Sequence, residues 1–146
     1  MIMRKGDLFS TDAKCIGHGV NCKGVMGAGI AKAFREKYPE NYNAYRRVCQ
    51  SGALGGGEVF VWPFNDDNRV IFNMASQVEP GANASYAWLF QSAWESARIC
   101  SDLKYDRLAI PLIGCGIGGL EWPRVEVLLL AIETMVPDFQ FEVWKF

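Results

Sequence analysis

Two glycine-rich segments contain the residues best suited to ligand chemistry. Residues 21–31 read NCKGVMGAGIA, and residues 114–122 read GCGIGGLEW. Glycine lets a backbone approach a ligand closely and turn its N–H groups toward it. The start of a helix adds further free N–H groups and a partial positive charge. Two such turns facing one cleft predict a binding site for a diphosphate.

The elements that must position these turns are strands and helices in alternation. The hydrophobic pattern predicts strands at 15–21, 58–62, 69–74, 107–113 and 139–146, and helices at 27–37, 40–49, 86–103 and 122–135. Residues 65–68 form the predicted turn of a hairpin, and Ser85 is the predicted N-cap of the third helix. The alternation indicates an α/β fold with a mixed, largely parallel sheet and helices on both faces. Each glycine-rich segment follows a strand, so both are expected at the carboxyl edge of that sheet.

Composition narrows the class of protein. The 146 residues predict one domain, 1–146, and the net charge of −1 argues against an extended nucleic-acid surface. The five cysteines include no CxxC pair, which predicts reduced thiols in a cytoplasmic protein. A single histidine makes a zinc site or any other metal site unexpected. We see no signal-peptide core, and the longest apolar run, 127–132, is too short to span a membrane.

Two nucleotide-binding motifs can be set aside. Gly114, Gly116 and Gly119 fit the G-x-G-x-x-G spacing of dinucleotide-binding folds. That fold needs an acidic residue at the end of the following strand, whereas the only acid there, Glu142, lies in the middle of it. The first glycine-rich segment lacks the Gly-Lys-Ser/Thr ending of a P-loop. Neither a dehydrogenase nor an NTPase is therefore expected.

Taken in order, four segments resemble the macrodomain family. They are GDLF at 6–9, VNC at 20–22, MGAGIA at 26–31 and PLIGCGIGGLEW at 111–122. The resemblance covers nearly the whole chain and is strongest to the branch with the terminal ADP-ribose and DNA ADP-ribose glycohydrolases. It implies a three-layer α/β/α macrodomain that binds ADP-ribose or an ADP-ribosylated macromolecule, without a cofactor.

The resemblance also implies roles for individual residues. Asp7 would accept a hydrogen bond from the adenine amino group, with Leu8 beside the base and Trp144 stacked on it. Asn21 would bind the distal ribose hydroxyls. The segments around the diphosphate would be Gly27, Ala28, Gly29 and Ile30 on one side, and Gly114, Cys115, Gly116, Ile117 and Gly118 on the other. The alternatives are a turn aspartate at Asp7, a loop amide at Asn21 that bonds its own backbone, and glycines that only form turns.

Catalytic residues are harder to assign. Glycohydrolases of this branch use a lysine after the strand that ends near Asn73, but residues 73–79 contain none, and Gln77 is the closest match. Some relatives carry an aspartate at the position of Gly118. The remaining candidates are Asn21, Gln77 and His18. Because His18 is an odd number of residues from Asn21 on a strand, a buried structural histidine is the better interpretation.

Three functions remain open on the sequence alone. The first is a hydrolase that removes ADP-ribose from a modified substrate or dephosphorylates ADP-ribose 1″-phosphate. The second is a module that binds ADP-ribose without cutting it, which the missing lysine favours. The third is a glycine-rich structural domain with a partner surface and no nucleotide ligand.

Overall fold

The structure, a computed structural model, describes every residue from Met1 to Phe146. Six strands form one sheet, and four α-helices accompany it. The strands are β1 (Ile2–Lys5), β2 (Cys15–Gly19), β3 (Val59–Trp62), β4 (Val70–Met74), β5 (Arg107–Ile110) and β6 (Gln140–Lys145). The helices are α1 (Gly29–Lys37), α2 (Pro39–Gln50), α3 (Tyr86–Asp102) and α4 (Trp122–Met135). No helix combines the length and the apolar composition that a membrane span requires.

The sheet has the order β1-β6-β5-β2-β4-β3. All neighbouring strands are parallel except β3 and β4, which pair antiparallel and form the predicted hairpin. The central strand β2 pairs with β4 on one side and β5 on the other, so that Ile16 lies opposite both Ile71 and Ala109. The predicted mixed, largely parallel sheet is therefore confirmed. The two glycine-rich segments follow neighbouring strands.

Side chains alternate between two apolar layers, as the two-residue period of a strand requires. Ile16 and Ile71 pack with Phe34 of α1 on one face of the sheet. Cys15 and Phe72 belong to the larger cluster of 18 buried residues on the other face, which includes side chains of α3 and α4. This arrangement is the three-layer α/β/α fold.

Some predicted boundaries were wrong at the ends of elements. Strand β5 ends at Ile110 rather than at residue 113, because Pro111 has no amide to donate and the Ile113 amide turns back to the Pro111 carbonyl. Strand β2 ends at Gly19, and α1 begins at Gly29. The shorter β2 and β5 and the later start of α1 lengthen the loops at the carboxyl edge of the sheet. Main-chain N–H groups in these loops are therefore not used in the strands or the helix.

A buried polar cluster joins β2 and β4 to α2. His18 Nε2 lies 2.9 Å from Asn73 Oδ1, and the Asn73 amide donates to Asn41 Oδ1 at 2.9 Å. The imidazole stacks on the Phe34 ring at 3.8 Å, and its Nδ1 has no hydrogen-bond partner. Burial lowers the pKa of His18 to about 4, although the bond with Asn73 opposes this shift. His18 is therefore a neutral core residue, which agrees with the preferred interpretation of a buried structural histidine.

The pKa of His18 predicts acid sensitivity of the fold. The unfolded chain binds a proton near the ordinary pKa of 6.5, whereas the folded chain does not until about pH 4. The stability that neutral His18 contributes is therefore fully present above about pH 6.5, and it is lost as the pH falls toward 4. We expect His18 to account for a loss of about 2 kcal/mol in the free energy of unfolding between about pH 7 and about pH 5.

Urea denaturation of the wild type and of His18→Gln at both pH values measures this contribution. The Gln variant keeps a side chain that can bond Asn73 but does not titrate. It should therefore lose less stability on acidification. Equal losses in the two proteins would contradict the assignment.

Candidate functional site

A cavity of about 780 Å³ opens beyond the carboxyl ends of β2, β4, β5 and β6. Its volume lies within the roughly 300–1,000 Å³ of typical small-molecule sites. Residues of both glycine-rich segments line it. We call residues 21–28 the first glycine loop and residues 114–119 the second glycine loop. Their shared cavity agrees with the rule that ligands bind beyond the carboxyl ends of parallel strands.

Asn21 holds the first glycine loop in shape. Its Oδ1 accepts the amides of Lys23 and Val25 at 3.0 and 3.3 Å, and its Nδ2 donates to the Val25 carbonyl at 2.8 Å. The side chain lines the cavity but is only 8% exposed. Both halves of the amide are thus engaged with the loop itself. This is the alternative that the sequence left open for Asn21, and it leaves the second Nδ2 hydrogen as the polar group available to a ligand.

Tyr45 is a site residue that the sequence did not reveal. Its hydroxyl donates to the main-chain carbonyl of Asn21 at 2.7 Å and lies 2.9 Å from Asn21 Oδ1. The side chain is fully buried on α2, and burial raises its pKa. A tyrosine on the inner face of a helix needs a partner for its hydroxyl, which was the one available signal. Tyr45 fixes the first glycine loop to the layer of α1 and α2.

Helix α1 presents an uncapped start to the cavity. Ala28 occupies the N-cap position with extended backbone, and no side chain caps the helix. The amides of Gly29, Ile30 and Ala31 have no acceptor within the protein. All three residues line the cavity. The first turn of a helix with free N–H groups is a favourable place for an anion.

The second glycine loop supplies a further set of free amides. Gly114 and Gly119 adopt φ values of +75° and +83°, which favour glycine. The tight turn between them is closed by a bond of 2.8 Å from the Leu120 amide to the Gly114 carbonyl. Between these points, the amides of Gly116 and Ile117 donate to no protein group. The loop therefore faces the cavity with unpaired main-chain donors.

The start of α1 and the second glycine loop approach each other across the cavity. A Cβ added to Gly29 would lie 3.2 Å from Cδ1 of Ile117, and the φ of +58° at Gly29 also favours glycine. A Cβ at Gly118 would lie 2.8 Å from the Gly114 carbonyl oxygen. Gly116 differs, because a Cβ there would meet no atom within 4 Å. Glycine is thus required by packing at Gly118 and favoured by the backbone conformation at Gly29, but neither reason applies at Gly116.

Gln77 lines the cavity beyond the end of β4. Its Nε2 donates to the carbonyls of Glu79 and Gly81 at 2.7 and 3.0 Å. Its Oε1 would lie 3.3 Å from a Cβ at Gly118, where some relatives were expected to carry an aspartate. Since both amide hydrogens have acceptors, Gln77 offers the site a fixed oxygen acceptor.

The cavity wall carries no Asp, Glu, Lys, Arg or His side chain. Cys115 is its one thiol, and burial raises the pKa of that group. A thiol of raised pKa stays neutral at physiological pH. An anion in this cavity would therefore be held by main-chain N–H groups and by the α1 dipole rather than by an ion pair.

Two aromatic residues line the cavity on the β6 side. Trp144 is partly buried, and the terminal residue Phe146 is fully exposed. The backbone of Gly6 packs beside the indole, since a Cβ there would lie 3.8 Å from Cζ3 of Trp144. The structure thus brings Trp144 together with the residues of both glycine loops that the sequence singled out.

Three candidate residues do not line the cavity. His18 is fully buried in the polar cluster described above. Leu8 is 4% exposed, packs in the core and does not line the cavity. Asp7 is exposed, and its Oδ1 accepts the Phe9 amide at 2.9 Å as the cap of a single 3₁₀ turn. Its carboxylate therefore serves the turn first, with the other oxygen left free.

Comparison with known proteins assigns the chain to one family. The model of the family described as "Macro domain" matches residues 18–129. A DNA ADP-ribosyl glycohydrolase of Mycobacterium tuberculosis is 33% identical over 135 residues, which is 91% of this chain and 38% of that protein. The chain therefore spans less than half the length of that relative.

A second relative and a solved structure extend the comparison. An ADP-ribose 1″-phosphate phosphatase of Aspergillus oryzae is 51% identical over 47 residues, 32% of this chain and 23% of that protein. The solved macrodomain of Mycobacterium tuberculosis DarG has a TM-score of 0.89 and 30% identity, covering 98% of this chain and 97% of that one. The likeness in structure thus extends over nearly the entire chain.

The contacts of Asn21 predict its importance for stability. In Asn21→Ala, the amides of Lys23 and Val25 lose their side-chain acceptor, whereas the Tyr45 hydroxyl keeps the main-chain carbonyl of residue 21. We expect the free energy of unfolding to fall by about 1–3 kcal/mol. Tyr45→Phe, which removes one donor and leaves the loop bonds in place, should cost less. Urea denaturation measures both, and an Asn21→Ala protein as stable as the wild type would contradict this role.

Proposed function

We propose, because the chain belongs to the macrodomain family, that its cavity binds ADP-ribose groups and that the protein hydrolyses them from a substrate. One observation carries the binding part of this proposal. Two sets of main-chain amides without acceptors, at the start of α1 and in the second glycine loop, line a single cavity of suitable size. Free amides of this kind suit the oxygens of a diphosphate.

The ligand orientation follows from the ends of the cavity. With the diphosphate between Gly29 and Gly116, the adenine extends toward Trp144, and the free oxygen of Asp7 is the candidate acceptor for its amino group. The distal ribose then lies toward Asn21 and Gln77. Stacking of a base on an aromatic ring contributes about 1–3 kcal/mol, which makes the Trp144 end the natural place for the adenine.

The reaction we propose is transfer of the ADP-ribosyl group to water. The bond from the anomeric carbon of the distal ribose to the substrate breaks, water supplies the new hydroxyl, and its proton leaves with the released group. The fixed Oε1 of Gln77 and the amide of Asn21 are the candidates to orient that water. ADP-ribosylated DNA is the first substrate to test, because the relative that matches 91% of this chain is named for it.

Dephosphorylation of ADP-ribose 1″-phosphate is the related hydrolase reaction. Here water attacks phosphorus, inorganic phosphate leaves, and ADP-ribose remains. The relative named for that activity matches only 47 residues of the chain. It therefore ranks below glycohydrolysis among the hydrolase reactions.

A module that binds ADP-ribose without cutting it is the second candidate. The observation that favours it is the wall of the cavity, which contains neither the lysine expected of glycohydrolases nor any Asp, Glu or His for proton transfer. Binding needs only the amides and the aromatic end. Product analysis separates the two functions, since they share a ligand and differ in turnover.

A substrate panel analysed by mass spectrometry tests the proposal. The purified protein is incubated with ADP-ribosylated DNA, with ADP-ribosylated protein and with ADP-ribose 1″-phosphate, while calorimetry measures ADP-ribose binding. Release of ADP-ribose or phosphate supports the hydrolase. Binding without any product supports the module that binds ADP-ribose without cutting it. A wild-type protein that does not bind ADP-ribose would exclude both functions.

Gly116 offers a variant that blocks the cavity with little effect on the fold. A Cβ there would meet no protein atom within 4 Å, and Gly116 lines the cavity where we place the diphosphate. We expect Gly116→Val to weaken ADP-ribose binding by about tenfold or more, equivalent to ~1.4 kcal/mol. Gly116→Ala is the matched control and should show a smaller loss. Calorimetry gives both affinities, and unchanged binding by the Val variant would argue against this placement of the diphosphate.

A further inference from the structure

Glu142 is the one buried residue of the chain that carries a formal charge. It lies in the middle of β6 and is 1% exposed. The sequence identified it only as an acid in the wrong place for a dinucleotide-binding strand. A buried carboxylate is costly unless it is paired and hydrogen-bonded, so its contacts need an explanation.

Three donors satisfy the Glu142 carboxylate. Arg107 donates to Oε2 at 2.6 Å, the Thr11 hydroxyl donates to Oε1, and Nε1 of Trp144 donates to the same Oε1 at 2.7 Å. Burial alone would raise the pKa of Glu142, but these hydrogen bonds and the Arg107 charge outweigh it and hold the pKa below its usual range. The side chain is therefore an anion with both oxygens occupied.

The bond to Trp144 has a geometric consequence. Residues 142 and 144 are two apart on β6, so their side chains lie on the same face of the sheet. The indole N–H is tied to the buried carboxylate, while other atoms of Trp144 line the cavity. The ring also packs against the apolar cluster that contains Leu8, Ile16 and Phe34. The indole is thus held by its N–H and by its packing against the core.

We propose that Glu142 is a positioning residue that fixes the Trp144 indole as the platform for the nucleobase of the ligand. This inference rests on the proposed binding of ADP-ribose. Because the carboxylate occupies the only polar atom of the indole, Trp144 offers the base its apolar ring and no hydrogen bond. Trp144 then contributes stacking energy that is nearly independent of base identity, and base recognition falls to other groups near this end.

Two variants remove the tether in different ways. In Glu142→Gln, the amide oxygen accepts the hydrogen bond from Arg107. The amide N–H groups then face the N–H of Trp144, so two donors meet and the indole has no acceptor. In Glu142→Asp, the negative charge beside Arg107 remains, but the shorter side chain withdraws the acceptor from the indole. The Asp variant keeps the buried charge pair and so protects the test against a Gln variant that fails to fold.

A double-mutant cycle with Trp144→Phe separates positioning from a general effect on the fold. With Trp144 present, we expect either Glu142 variant to weaken ADP-ribose binding by about tenfold in calorimetry. In the Trp144→Phe background, where no indole N–H exists, the same change should weaken binding less than about twofold. Equal losses in the two backgrounds, or no loss with Trp144 present, would overturn the inference.

Glu133→Gln is the matched control. Glu133 also accepts a bond from β6, through the Phe141 amide at 2.8 Å, but it makes no contact with Trp144. It should leave ADP-ribose binding unchanged. A loss in this variant equal to that of Glu142→Gln would mean that any weakening of β6 is sufficient, and would count against positioning.

Near-ultraviolet circular dichroism makes the tether testable without a ligand. The Glu142 variants should change the indole band, and this change should disappear in the Trp144→Phe background. A wild type that does not bind ADP-ribose would refute the proposed function, while this spectral change would still show the tether. An unchanged band would overturn the tether even in a protein that binds ADP-ribose.

Discussion

The main-chain amides of the cavity are the constraint on which the other features of the site depend. No positively charged side chain lines the cavity, so an anion there would be held mainly by N–H groups and by the dipole of α1 rather than by an ion pair. Such donors act over hydrogen-bond distances, and their directions are set by the backbone. The protein must therefore hold two loops in fixed conformations, which explains why the Asn21 amide and the Tyr45 hydroxyl are used for the first glycine loop rather than kept free.

The parts of this structure that the sequence predicted depend on local signals. Hydrophobic periods of two and about 3.6 residues identified the strands and helices, and glycines after two strands identified the loops at the carboxyl edge. The interpretation of His18 as a buried structural residue was correct, although β2 ends at Gly19 and the strand parity used for it does not extend to Asn21. The other site contacts join distant parts of the chain. Tyr45 is 24 residues from Asn21, and Thr11 is 131 residues from Glu142. No periodic or spacing rule encodes such pairs, so they appeared only with the fold.

The resemblance to a family predicted which residues line the cavity better than it predicted the contacts that individual side chains make. Both glycine loops and Trp144 line one cavity. Asp7, however, accepts the amide of its own 3₁₀ turn, and Leu8 is packed in the core. A short polar side chain before a turn bonds the nearby backbone readily, so one residue type serves both a cap and a ligand. Which use dominates depends on where β1 ends relative to the cavity, and a motif does not specify that distance.

The uncharged wall also limits the chemistry without excluding it. General acid–base catalysis typically contributes about 10²–10⁴-fold in rate, and this cavity has no carboxylate, lysine or histidine to provide it. Fixed positioning of reactants can lower a barrier by about 7–11 kcal/mol, which is a larger effect. In the proposed complex, a distal ribose held beside the oxygen of Gln77 would be hydrolysed through positioning, and more slowly than in a site with a proton-transfer group. The same rigid cavity would serve a module that only binds ADP-ribose, so turnover rather than the shape of the cavity separates the two functions.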